Sequence, residues 1–209
     1  MLTQTAGENV SPMKLTPDNS ILVLMDHQTG LTPAVKTIDQ ETYRKNVLAL
    51  VETAKIFNLP AVITASGTEG PGGPVWPGIR ATLPGAPIID RATVNPWDDE
   101  SFVASIRKAG RKNLIMAGVT ADTCLAFSAL SAISEGYEVY AVMDASGSSC
   151  TLAEQAAIAG MSRAGIVTTT WVPVAAAMQS HLLGESDCVS CKLMGHRLGP
   201  YGYLLNKYL

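Results

Sequence analysis

Four points in the chain put a chemically capable side chain just past a short apolar run. "SILVLMD" (residues 20–26) closes on Asp26, and "APIIDR" (86–91) closes on Asp90 and Arg91. "KNLIMAGV" (112–119) leads through "TADT" to Cys124, and "YEVYAVMDA" (137–145) carries Asp144 at its end. An acid, a cation and a thiol are the parts of a nucleophilic site. The thiolate attacks an sp² carbon, the acid moves its proton, and the cation holds the charge. The backbone N–H groups of residues 119–124 are placed to receive an oxyanion.

Cys124 sits where a helix would begin. Unpaired N–H groups and the helix dipole there lower a thiol's pKa, and a nearby arginine lowers it further. The expectation is a thiolate populated well below pH 8. Each residue also has a plainer reading. Cysteine is among the most buried residue types and often only fills core. A strand-end Asp26 caps loops or helices, and Arg91 by default makes a surface ion pair.

The elements that must position these residues follow from periodicity. Strand-length apolar runs occupy 20–26, 59–66, 86–91, 112–119, 137–145 and 166–172. Between them, 40–58 repeats Tyr43, Val47, Leu50, Val51, Ala54 and Phe57 at helical spacing. Residues 95–110 open with Asn95 as N-cap and Pro96 in the first turn, and stop at Gly110. Further helices are expected over 122–136, 151–165 and 174–183, and 68–79 is too rich in Gly and Pro for either element. Strands apolar on both faces and separated by helices imply parallel βαβ units. The expected fold is a three-layer α/β/α sandwich with a six-stranded parallel sheet, doubly wound in the Rossmann-like manner. Ligands then bind beyond the carboxyl ends of the strands, where all four chemical points lie.

With 209 residues, the chain suits one domain over 1–183 plus a tail over 184–209. The tail is rich in Gly, Leu and Tyr and is expected at an oligomer contact. Hydrophobic residues make up 47% and charged residues 16%, enough apolar content for a sizeable core. A net charge of −3 without a Lys/Arg cluster argues against nucleic acid. No apolar run approaches the ~18 residues of a membrane span, and the polar start lacks a signal-peptide core. These features point to a cytoplasmic protein whose four cysteines are thiols. Cys188, Cys191 and His196 lack the second ligand pair of a zinc ribbon. Cys150 is expected in a loop near the fifth strand.

Three blocks in this order are specific: "ILVLMDHQTGL", "DRATVNPWDDESFVASIRKAGRKNLIMAGVTADTCLAFSALSAISEGYEVYAVMDASG" and "WVPVAAAMQ". Over residues 15–183 the chain resembles the isochorismatase-like cysteine hydrolases, in particular their YcaC-type branch. The resemblance implies an Asp–Lys–Cys triad, onto which Asp26 and Cys124 map. Arg91 occupies the place of the lysine before "NPWD". It keeps the positive charge, but it does not readily release a proton. The resemblance also implies a cis peptide at Val119–Thr120, with the N–H groups of Thr120 or Ala121 and of Cys124 as oxyanion donors.

The Asp-x-His metal segment of the nicotinamidase branch is absent: His27, His181 and His196 lack that spacing. No metal and no cofactor are therefore expected. His27 either packs or lines the pocket, and Trp97 and Phe127 are assigned to pocket walls. The expected function is metal-independent hydrolysis of a small molecule at an amide-type C–N bond. The alternative is a member that has lost turnover and serves in binding or assembly. The resemblance further implies a homo-oligomer, as a dimer, tetramer or octamer.

Overall fold

The first strand, β1 (Ser20–Met25), is buried at every position, as is β4 (Asn113–Gly118). Alternate side chains of such a strand must feed two separate cores. In β1, Leu22 and Leu24 enter one core, while Ile21, Val23 and Met25 enter the other. The computed structural model describes residues 14–179 and 188–199. Within these, β1, β2 (Ala61–Ser66), β3 (Ile88–Arg91), β4, β5 (Glu138–Val142) and β6 (Val167–Thr169) form one parallel sheet. Their order is β3-β2-β1-β4-β5-β6. The chain winds outward from β1 to β3, then crosses back to β4. The crevice beyond the ends of β1 and β4 is thus the switch point where ligands bind in open α/β sheets.

One face is covered by α1 (Gln40–Ile56), α2 (Pro77–Thr82), α6 (Trp171–Met178) and α7 (Val189–Arg197). The other is covered by α3 (Glu100–Ala109), α4 (Ala126–Ser134) and α5 (Thr151–Arg163). The result is the expected three-layer α/β/α sandwich. Local chemistry sets the helix ends. Asp39 accepts the Thr42 N–H to start α1, and Gly110 stops α3 at φ 64°, a conformation open to glycine.

Several boundaries differ from the sequence reading, each for a local reason. Asn95 caps only a short 3-10 turn, Pro96–Asp98. Asp99 then extends the backbone and itself caps α3 by accepting the Phe102 N–H. Part of the Gly/Pro-rich stretch 68–79 is helical, because Pro77 opens α2. The last strand is shorter than 166–172: Trp171 is buried and begins α6, its N–H taken by Asp144 Oδ1 at 3.0 Å. Residues 180–183 of the expected last helix lie outside the described residues.

One reading of the tail changes. Cys188 and Cys191 are not thiols but a disulfide. They lie one turn apart at the start of α7 with a Cα separation of 5.1 Å, within bonding reach. The described part of the tail packs on its own chain: α7 contacts α1 and α6, and Arg197 pairs with Glu52. The rest of 184–209 lies outside the described residues, as does His181. No helix among the described residues is long and apolar enough to cross a membrane.

Burial pushes the Asp144 carboxyl up to about 6, against the bonds from the Trp171 N–H and its own backbone. A carboxyl raised in the folded state holds its proton longer there than in the unfolded chain. The Asp144 contribution to stability is therefore fully present below about pH 4 and is lost as pH rises through about 6, by about 2–3 kcal/mol for two pKa units. Asp144→Asn keeps an acceptor for Trp171 but cannot ionise. Thermal melts between pH 4 and 7 should show that decline flattened in the variant; an unchanged slope would assign it elsewhere.

Candidate active site

Asp26 is the first residue past β1 and turns the chain sharply, with φ 59°. That left-handed backbone is uncommon outside glycine, and Asp is among the residues that tolerate it. Asp26 is held by its N–H to Thr64 O (2.9 Å) and by its carbonyl, which accepts from Gln28 (2.7 Å). Arg91 ends β3 and reaches across β2. Its Nη1 donates to Asp26 Oδ1 at 2.8 Å and its Nη2 to Oδ2 at 2.6 Å. Both side chains are completely buried. This is a bidentate, charge-assisted pair, the strongest form of such a contact. It is not the surface ion pair that is the default for arginine.

Cys124 comes from β4 through a cis peptide at Val119–Thr120 and a π turn over Ala121–Leu125 that precedes α4. Gly118 makes that return possible. A Cβ there would lie 3.3 Å from both the Leu125 N and Met25 Cβ, tighter than the backbone readily accepts. The three predicted residues meet: the Asp26 carboxylate and the Arg91 charge both act on the buried Cys124 thiol, and Arg91 grips Asp26.

The expected depression of the thiol is reversed. Burial pushes the Cys124 thiol up to about 12, and the Asp26 charge and hydrogen bond push the same way. Thr123 and Arg91 pull it down, but less. Arg91 is already committed to both oxygens of Asp26, so the thiol meets a neutralised cation beside a carboxylate. The resting group is a protonated thiol.

The other assigned residues separate. The Ala121 N–H donates to Gly147 O at 2.8 Å, so it is not available to an oxyanion. Gly147 lies at φ 106°, where only glycine is comfortable. The Thr120 N–H makes no protein hydrogen bond among the described residues.

His27 is fully buried and takes the packing alternative. Its ring lies between Tyr43 and Trp76, and its Nε2–H donates to Ala145 O at 2.9 Å. Burial lowers its pKa, so the imidazole is neutral. Trp97 packs edge-on against Phe102 and Tyr137 and donates to Glu135, which places it in the core beside α3 and α4 rather than in a pocket wall. Phe127 is 44% exposed on α4, three residues past Cys124. Cys150 is exposed at the cap of α5, and Asp90 is tied to Thr68. No group of His, Cys, Asp and Glu among the described residues is gathered to hold a metal.

Sequence reasoning missed Gln28, whose amide spans the end of β2 and the Gly/Pro-rich loop. Its Oε1 accepts from the Ser66 N–H and its Nε2 donates to Gly73 O. It also missed Thr123, whose hydroxyl touches the Cys124 sulfur. A hydroxyl beside a candidate nucleophile was the available signal.

The family model of the isochorismatase domain matches residues 20–172. The chain belongs to the isochorismatase family. It is 37% identical over 197 residues to the probable hydrolase YcaC of Escherichia coli, covering 94% of each protein. Its fold superposes on the crystal structure of the E. coli YcaC gene product, an octameric hydrolase of unknown specificity. That match has a TM-score of 0.90 at 38% identity, over 95% of this chain and 97% of that one. YcaC from Pseudomonas aeruginosa, crystallised with hexane-2,5-diol and covalent acrylamide, matches with a TM-score of 0.90 at 34% identity. It covers 95% of this chain and 98% of the other. With these relatives, the isochorismatase-family chain is a hydrolase.

Two outcomes follow from this geometry. Arg91→Met leaves the Asp26 carboxylate buried without its partner and should destabilise by about 3–5 kcal/mol in urea unfolding; a loss under 1 kcal/mol would mean the pair is not held as described. Iodoacetamide at pH 7 should label exposed Cys150 before Cys124, with Cys124 labelling climbing as pH rises toward 10. Peptide mapping that finds Cys124 labelled first would show a depressed thiol after all.

Proposed function

We propose that the chain is a metal-independent cysteine hydrolase of a small molecule, cleaving an amide-type C–N bond through a thiol acyl-enzyme. The observation that carries this reading is the buried Cys124 thiol under the influence of Asp26, whose two oxygens are gripped by Arg91. Transfer of the thiol proton to Asp26 neutralises that carboxylate. The charge of Arg91 is then no longer balanced by Asp26, and it faces the new thiolate. The pair that raises the thiol at rest therefore stabilises the product of proton transfer.

The thiolate attacks the carbonyl carbon, and the Thr120 and Cys124 N–H groups receive the oxyanion. Asp26 returns the proton to the leaving nitrogen, which departs as the amine. Water then attacks the thioester with Asp26 as base, releasing the acid and restoring the thiol. Arg91 remains charged throughout, so every proton passes through Asp26. The covalent acrylamide of the P. aeruginosa relative supports cysteine chemistry in this fold. The octamer of the E. coli relative supports a homo-oligomer. We place the enzyme in the cytoplasm, acting through residues 1–183.

A panel of small amides, ureides and hydroxamates tests this reading. A substrate should leave an acyl mass on Cys124, and Cys124→Ser should reduce turnover by about 10³-fold or more. Turnover undiminished in Cys124→Ser would end the nucleophile assignment. The bidentate grip of Arg91 on Asp26 favours one second reading, a member that binds without turnover. If neither the wild type nor Arg91→Lys turns over any of the panel while binding persists, that reading stands.

A further inference from the structure

The disulfide between Cys188 and Cys191 takes no part in the chemistry of Cys124, and it holds little together. Its two ends lie three residues apart in the first turn of α7, with a Cα separation of 5.1 Å. So short a bridge closes a very small loop and removes little freedom from the unfolded chain. It also joins α7 to no other element. Other contacts anchor that helix: Leu193 and Met194 belong to the core shared with α1 and α6, and Arg197 pairs with Glu52. The turn between the cysteines is held separately, because the Ser190 N–H and Oγ donate to Gln179 Oε1 at 2.8 and 2.7 Å. None of these contacts runs through the S–S bond.

The placement suits a bond that is made and broken. Cys188 is the N-cap of α7, and its sulfur accepts the Cys191 N–H at 3.3 Å. N–H groups at a helix start favour a thiolate over a thiol, above all at the first cysteine of a Cys-x-x-Cys turn. The N–H that meets the bonded sulfur is already placed to meet the same sulfur once it carries charge. In the cytoplasm proposed above, thiol reductants clear most disulfides, and those that form there are as a rule catalytic or redox-sensing.

We propose that Cys188 and Cys191 are a redox-active pair, cycling between disulfide and dithiol by exchange with a thiol reductant. The pair is independent of Cys124, which belongs to the opposite face of the sheet. In reduction, a reductant thiolate attacks Cys191 Sγ, and the electron pair of the S–S bond leaves on Cys188 Sγ, where the Cys191 N–H receives it. A second reductant thiolate attacks the reductant sulfur of that mixed disulfide, forming the reductant's own disulfide and releasing Cys191. Two electrons and two protons pass from the reductant to the pair, and an incoming disulfide reverses the cycle. Cys188 and Cys191 are 6% and 8% exposed, so exchange begins with local opening of this first turn.

Alkylation of the full chain followed by peptide mass mapping tests the pair. Without denaturant, dithiothreitol should open the bridge at no less than about a hundredth of the rate seen in urea. Reduction confined to the unfolded chain would overturn the proposal. If the pair is isolated as thiols, oxidised glutathione should close the bridge, and failure to close it is equally fatal. A parallel arm with reduced glutathione tells the source: opening by both reagents supports a monothiol partner, and opening by dithiothreitol alone supports a dithiol. Single variants test the role of the helix start. With oxidised glutathione, Cys188 in Cys191→Ser should form the mixed disulfide about tenfold faster than Cys191 in Cys188→Ser. Equal rates would show that the helix start does not activate the pair and would end the proposal. The wild-type comparison with urea needs no variant, so the test stands even if one of them folds poorly.

Discussion

The site is organised by one buried ion pair. Two charges taken fully out of water are tolerated only when they satisfy each other, and Asp26 and Arg91 do so through two short hydrogen bonds. Satisfying that demand ties β1 to β3 across β2 at their carboxyl ends. It fixes where the Asp26 carboxylate points, and Cys124 is then delivered against it from β4. The left-handed turn at Asp26, the close approach at Gly118 and the π turn that carries Cys124 are local irregularities held in place around this pair. Such departures from regular backbone cluster where a site must be built.

The same pair accounts for the state of the thiol. A cysteine at a helix start beside an arginine is expected to be acidic, and here it is not. The arginine's charge is matched by the carboxylate that it grips. In the proposed reaction, arginine rather than lysine at position 91 leaves proton movement to Asp26, since a guanidinium retains its proton.

Much of the frame was legible because it rests on short-range pattern. Apolar runs of strand length, amphipathic helices and the residues at helix ends predicted the alternation of elements; strand-end placement offered Asp26, Asp90, Arg91, Cys124 and Asp144, from which the family resemblance picked out Asp26, Arg91 and Cys124. The readings that changed were those in which a tertiary partner competes with local propensity. Trp171 reads as strand but begins α6, since Asp144 caps its N–H. His27 neighbours Asp26 in the chain yet serves the opposite core, because Ala145 and two aromatic rings claim its side chain. Trp97 reads as a wall residue but is claimed by Phe102, Tyr137 and Glu135.

The sequence by itself determined the parallel sheet and nominated the acid, the cation and the thiol, because periodicity and residue type are properties of neighbours along the chain; the strand order that sets the switch point came only with the fold. Tertiary structure alone decided their ionisation and their partners. Whether Arg91 lowers a thiol or grips a carboxylate depends on which group stands within 3 Å, and residues 65 positions apart settle that only on folding. The loss of Ala121 as an oxyanion donor has the same origin: its N–H meets a carbonyl that the chain supplies 26 residues later. Electrostatics and hydrogen bonding act through space, so the chemistry of Cys124 was set by the fold rather than by its place in the sequence.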